Sequence, residues 1–262
     1  MKESNLQTSI GQSKIVVLWA APRCVSTAFE KTFAQRSDTE IVHEPFCDVY
    51  FFSKWRRSAR FGECEELLDY SSAKAIEHIT SRTAPVVFIK EHAYQALPYI
   101  DRDFLAGAIN TFIVRHPLKV IDSWYRVNEH PTEEEFGFST LYKIWQIVTE
   151  ELKQSPIVVE AECFRQNPEQ VLRTYCQQIG VEFDSQMLGW KNGQLKAWSP
   201  REAEFHAKWH KTLDNSTKIL PPEDIKTTAT TRFIGEYSEM LQQAHTIYNT
   251  LKLSSCRTLG LE

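Results

Sequence analysis

The stretch Lys14-Ile15-Val16-Val17-Leu18-Trp19-Ala20, followed by Ala21-Pro22-Arg23-Cys24-Val25-Ser26-Thr27, is the natural starting point for reading this chain. Its first half is a short continuous apolar run rich in β-branched residues, the pattern of a parallel strand buried on both faces. A proline and small residues then make a turn, and residues 26–35 carry Phe29 and Phe33 at helical spacing. The segment therefore reads as strand, loop, helix. Apolar runs recur at 85–90, 110–115 and 156–160, with a shorter apolar pair at Ile41 and Val42. Segments long enough for crossover helices separate them, and 72–81, 118–127, 141–153 and 169–179 read as amphipathic helices. The pattern predicts an α/β fold, a central parallel sheet flanked by helices.

Composition narrows the function. The 262 residues are 42% hydrophobic and 24% charged, values of a folded globular chain rather than a disordered one. No Gly/Ser-rich or Pro-rich linker divides it, so one domain over 1–262 is expected, with 1–13 a flexible start. A net charge of -4 argues against a general nucleic-acid-binding surface, so any phosphate binding must be local. Apolar runs such as 15–21 and 111–114 are too short to span a bilayer, and the polar residues 1–14 lack a secretory apolar region; a cytoplasmic protein without membrane partners is expected. The six cysteines, Cys24, Cys47, Cys64, Cys163, Cys176 and Cys256, are scattered without CxxC spacing and are expected to be free thiols, and no metal site is expected. Trp55-Arg56-Arg57 reads as a solvated helical face, and His206 with His210 lacks a third metal ligand. The C-terminal third, with Trp190, Trp198, Trp209, the breaker Pro221-Pro222 and a helical stretch at 233–251, gives no functional signal.

In an open parallel sheet, ligands gather at the carboxyl ends of the strands, where helix N-termini favour anions. Arg23, Ser26 and Thr27 sit at that place, and the amides from Cys24 and Val25 onward can face one phosphate or sulfonate group. The plainer alternative is that Ser26 caps the helix and Arg23 is solvated. The turn lacks the GxxxxGK[ST] glycines and lysine of ordinary NTP hydrolases, which disfavours an ATPase.

Pro22-Arg23-Cys24-Val25-Ser26-Thr27 resembles the 5'-phosphosulfate loop of sulfotransferases that use PAPS (3'-phosphoadenosine-5'-phosphosulfate), whose pattern is close to P-[KR]-S-G-[ST]-T; it departs at Cys24 and Val25. Arg115 at the end of an apolar run and Ser123 eight positions later resemble the family's 3'-phosphate motif. Lys90 and His92 resemble the Lys and catalytic His of its K-[TS]-H-L-P segment, from which Glu91 and Ala93 depart. The resemblance spans chiefly 14–126. It implies the sulfotransferase fold related to P-loop kinases, and transfer of a sulfonate group from PAPS to a hydroxyl or amine of a small-molecule acceptor. It implies His92 as general base, with Glu44 or His43 as rivals, and Arg23 as stabiliser of the leaving nucleotide. A P-loop-like small-metabolite kinase and a non-catalytic nucleotide-binding protein are the competing readings.

Overall fold

The computed structural model describes residues 13–62, 65–127, 129–193, 209–223 and 235–259. Among them a five-stranded sheet forms, β1 (Lys14–Ala20), β2 (Thr39–His43), β3 (Val86–His92), β4 (Ile109–Val114) and β5 (Ile157–Glu160). Its order is β2-β3-β1-β4-β5 and every pairing is parallel. The central strand β1 is fully buried from Val16 to Ala20, as its unbroken apolar run requires. Two buried polar contacts lock it to β4: Trp19 Nε1 donates to Asn110 Oδ1 at 2.9 Å, and Thr111 Oγ1 donates to the Val17 carbonyl at 2.9 Å.

Helices cover both faces: α1 (Ser26–Phe33), α2 (Cys47–Phe52), α3 (Ser72–Thr80), α4 (Ala93–Ala96), α5 (Arg102–Ala106), α6 (Pro117–Tyr125), α7 (Glu133–Phe136), α8 (Phe138–Gln146), α9 (Ala161–Gln166), α10 (Pro168–Ile179) and α11 (Ser238–Leu259). The Phe29 and Phe33 pair read from helical spacing does pack inward, with Phe33 stacked on Phe88 of β3 at 4.1 Å between centroids and edge-on to Tyr175 of α10. The helix expected at 141–153 begins earlier, at Phe138, and its last turn widens into a π-helix over Ile147–Glu151. Trp55, Arg56 and Arg57 are exposed as expected but lie in an irregular segment after α2, not on a helix. Among the described residues Cys24, Cys47, Cys163 and Cys176 form no disulfide, while Cys64 and the side chain of Cys256 lie outside the described residues, as do Trp198 and His206. No helix among the described residues is long and apolar enough to cross a membrane.

Strand order places the site. The chain runs β1 to β2 on one side, returns to β3 beside β1, and then crosses to β4 on the other flank of β1, so the carboxyl edge between β1 and β4 is the topological switch point. Register does the rest: Ala20 lies level with His92 of β3 and with Ile113 of β4, and His43 of β2 lies level with Lys90. The loops after β1, β3 and β4 therefore leave the sheet at nearly one height, and the loop after β2 leaves two residues lower.

Candidate active site

The loop from β1 to α1 is held in an uncommon backbone conformation. Arg23 has φ 65 and Val25 φ 70, both in the left-handed region, and Glu44, after β2, has φ 44. For residues with a Cβ this costs on the order of 1–2 kcal/mol each and persists only where the surroundings enforce it. The support is visible in Gly137 at the start of α8, where an added Cβ would meet Pro22 Cδ at 3.0 Å and the Ala21 Cα at 3.3 Å; only glycine lets α8 press this closely on the loop. Val25 occupies the N-cap of α1 and no side chain caps the helix, so Ser26 is the first helical residue rather than its cap. The first helical bond is Phe29 N–H to the Val25 carbonyl at 3.1 Å, which leaves the amides of Ser26, Thr27 and Ala28 without intrahelical acceptors at the cleft wall. Cys24 behaves differently: its side chain is fully buried in the core, where burial pushes the thiol up to about 12, so only its backbone can serve the loop.

Arg23 turns back across the cleft. Its Nε donates to Ser123 Oγ at 2.9 Å, its Nη1 donates to the Trp209 carbonyl at 2.9 Å, and the guanidinium lies 5.4 Å from the centre of the Trp209 ring. Burial, and then the charge of Arg115, lowers it to about 10, still cationic at neutral pH. Arg115, at the end of β4, donates through Nη1 to the Arg23 carbonyl at 3.2 Å and through Nε to Glu162 Oε1 at 2.9 Å. Lys119, in the first turn of α6, donates to the other Glu162 oxygen at 2.7 Å. Burial works against the Glu162 charge, but Lys119 and Arg115 hold its carboxyl below the ordinary range. Among the described residues, eight Lys or Arg side chains against three carboxylates line this cleft of about 410 Å³, on a chain whose net charge is -4. The positive field is local, as an anion site on an acidic protein requires.

Beside it lies a buried cluster of acids and bases from the ends of β2 and β3. Glu44 Oε1 accepts from Lys90 Nζ and lies 3.1 Å from His92 Nε2 and 3.5 Å from His43 Nε2. The other His43 nitrogen, Nδ1, meets the fully buried Glu30 carboxylate of α1 at 2.8 Å. Burial alone would raise the Glu44 carboxyl, but His92, Lys90 and His43 facing it hold it well below the ordinary range. Burial brings the His92 imidazole down to about 4, against the pull of Glu44, so the ring is neutral at neutral pH; among the described residues its Nδ1 has no hydrogen-bond partner. Behind the pair, Glu91 accepts the Phe46 amide at 2.8 Å and the His92 amide at 2.7 Å. Phe51, Phe61, Tyr94 and Trp124 also line the cleft, with the Tyr94 ring stacked beside His92 at 6.0 Å between centroids.

Of the sequence-derived candidates, Arg23, Val25, Ser26, Thr27, Glu44, His92, Arg115 and Ser123 line this one cleft, and Cys24 faces the core. Sequence reading missed Lys119, Glu162, Arg165 and the 209–223 segment. Lys119 had a signal, one helical turn beyond Arg115; Glu162 and Arg165 become legible only once β5 is seen to flank β4. Residues 209–223 reach the cleft through contacts far apart in sequence, such as Arg165 Nε to the Leu220 carbonyl at 2.9 Å.

Comparison with known proteins finds a matching family, two curated relatives and two solved structures. The sequence profile of the family described as "Sulfotransferase domain" matches residues 14–255. Two curated relatives from Arabidopsis thaliana, the branched-chain-amino-acid aminotransferase-like proteins 1 and 2, are each 24% identical, over 93% and 91% of this chain. The chain spans only 42% and 41% of their lengths. Among solved structures, the sulfotransferase domain of the Synechococcus PCC 7002 olefin synthase superposes with a TM-score of 0.45 and 16% identity, covering 87% of this chain and 95% of that one. The sulfotransferase domain from the curacin biosynthetic pathway gives 0.45 and 18%, covering 86% and 98%. With its profile match running from the first residue of β1 into α11, this chain belongs to the sulfotransferase domain family.

Proposed function

We propose that the protein transfers a sulfonate group from PAPS to a hydroxyl or amine of a small-molecule acceptor, releasing adenosine 3',5'-bisphosphate. The observation that carries the reading is the meeting of two anion-binding loops: the Arg115 guanidinium donates to the Arg23 carbonyl at 3.2 Å, and Arg23 in turn donates to Ser123 at 2.9 Å. Such a cleft suits a ligand with an anion at each end, as a doubly phosphorylated nucleotide has. In this reading the amides and hydroxyls of Ser26 and Thr27 hold the 5'-phosphosulfate end, with Arg23, Val25 and the Cys24 backbone shaping the loop, and Arg115 and Ser123 hold the 3'-phosphate. Lys119 and Arg165 add charge at that second end.

PAPS supplies an activated sulfonate on a phosphate leaving group. The residues do the remainder. His92, neutral because burial depresses it, accepts the proton of the acceptor oxygen or nitrogen as the new bond to sulfur forms. Glu44, ionised and 3.1 Å away, stabilises the imidazolium that results, and Lys90 fixes the Glu44 carboxylate. Arg23 and the first amides of α1 stabilise the charge that grows on the leaving phosphate. The aromatic wall of Phe51, Phe61, Tyr94 and Trp124 suits an acceptor with an apolar body.

Turnover of labelled PAPS against a panel of hydroxyl and amine acceptors tests the activity, and calorimetry with adenosine 3',5'-bisphosphate against ATP tests the donor site. His92→Ala is expected to slow transfer on the order of 100-fold or more while nucleotide binding persists. Full turnover by that variant would remove His92 from the mechanism, and equal affinity for ATP would favour a kinase.

A further inference from the structure

We propose that Glu91 is a positioning residue for the Glu44–His92 pair: its carboxyl, shared between the backbone N–H groups of Phe46 and His92, fixes the two chain segments that carry the pair. This inference rests on the sulfonate-transfer reading and concerns a residue that does not line the cleft.

The β2–β3 ladder ends where the pair begins. Its last link is the Glu44 N–H to the Lys90 carbonyl at 2.9 Å. Beyond it the strands separate, since Glu44 takes the left-handed conformation and leads into α2, while His92 caps α4. Continued strand pairing cannot hold their spacing there. Glu91 replaces it, Oε2 accepting from Phe46 at 2.8 Å and Oε1 from His92 at 2.7 Å. The carboxyl thus bridges two residues 46 positions apart, each within two residues of a member of the pair.

Strand alternation keeps Glu91 out of the chemistry itself. Successive side chains of β3 face opposite sides of the sheet, so Lys90 and His92 share a face with Glu44, and Glu91 faces the other way. It acts through the backbone alone. It is also 0% exposed, so no water competes for its two oxygens. Burial, and then the Glu44 charge, push the Glu91 carboxyl well above the ordinary range; the two N–H groups on its oxygens oppose that rise, and only a side chain with two acceptor atoms at this reach satisfies both. A glutamine offers one, and turns an NH2 group against the other N–H.

The test is Glu91→Gln, read as a split between kcat and KM. The expected result is a kcat lowered about 10-fold or more, since displacing a catalytic group by about 1 Å can cost on the order of 100-fold. The KM for PAPS and the affinity for adenosine 3',5'-bisphosphate stay unchanged, because the anchors after β1 and β4 are untouched. In a His92→Ala background the same substitution should add nothing further. A variant that melts earlier yet keeps the full kcat of the folded enzyme would overturn the proposal, as would an undiminished effect without His92. Should Glu91→Gln fail to fold, amide hydrogen exchange in the wild-type protein decides: slow exchange at Phe46 and His92 supports the clamp, and exchange as fast as at exposed amides overturns it. A wild-type protein that moves no sulfonate from PAPS would overturn the transfer reading and this proposal with it. An active wild type matched by Glu91→Gln would overturn this proposal alone.

Discussion

Val25 stands at φ 70 with a β-branched side chain, in the position where the phosphosulfate-loop pattern has glycine. The loop reaches its left-handed geometry without the residue that adopts it freely, and packing of Gly137 against Pro22 and Ala21 helps to hold it there. Val25→Gly should therefore relieve roughly 1–2 kcal/mol of strain, less roughly 0.5–1 kcal/mol of added chain entropy, and leave the protein as stable or slightly more so. Thermal melting checks the sign, and a clear loss of stability would mean that Val25 packing outweighs its backbone strain. Arg115 is the complementary case, a residue whose contacts rather than its conformation matter. On the sulfonate-transfer reading, Arg115→Ala would remove a charge-assisted contact to the nucleotide together with the support of the Arg23 carbonyl, and should weaken adenosine 3',5'-bisphosphate by about 2 kcal/mol, on the order of 30-fold, by calorimetry.

The ends of β2 and β3 work as one element, because Lys90, Glu44 and His92 share a single buried contact. Lys90 and Glu44 are 1% and 7% exposed, so neither charge has water to fall back on. Lys90→Met should cost roughly 3–5 kcal/mol by stranding the Glu44 carboxylate, measured by denaturant unfolding. His92 gives this element a pH signature. The unfolded imidazole titrates at 6.5 and the folded one at about 4, so between those values the unfolded chain binds a proton that the folded chain refuses. Its contribution to stability is lost as pH falls from 6.5 toward about 4. Accordingly the melting temperature of the wild type relative to His92→Gln should decline across that window and be constant above about pH 7.5, where both states are unprotonated. Sequence reading reached these elements unevenly. β1, β3, β4 and β5 were legible as apolar runs because they are buried, whereas β2 is an edge strand with only Val42 buried and showed just the Ile41 and Val42 pair. His92 and Glu44 were legible as residues at strand ends. Their shared contact with Lys90, and Glu91 behind them, were not, since register between β2 and β3 decides which side chains meet and no local pattern encodes it.

At the scale of the molecule, the site exists because strand order brings distant loops together. Arg23 and Arg115 are 92 residues apart, yet they touch because β1 and β4 are neighbours with Ala20 level with Ile113. The 209–223 segment, opaque in the sequence, closes the same cleft through the Trp209 carbonyl on Arg23 and the Leu220 carbonyl on Arg165. A nucleotide that spans the cleft would thus tie together the turn after β1, the start of α6 and this segment, and it would bind only the folded chain. Adenosine 3',5'-bisphosphate at about 100 times its Kd should then stabilise the protein by about 2.7 kcal/mol. For a chain of this size that corresponds to a rise in melting temperature of roughly 5–10 °C. ATP at the same concentration lacks the 3'-phosphate and should give a much smaller shift, and Arg115→Ala should narrow the gap between the two nucleotides. Equal shifts with both nucleotides in the wild type would mean that the loops after β1 and β4 do not grip one ligand, and would return the protein to the kinase reading.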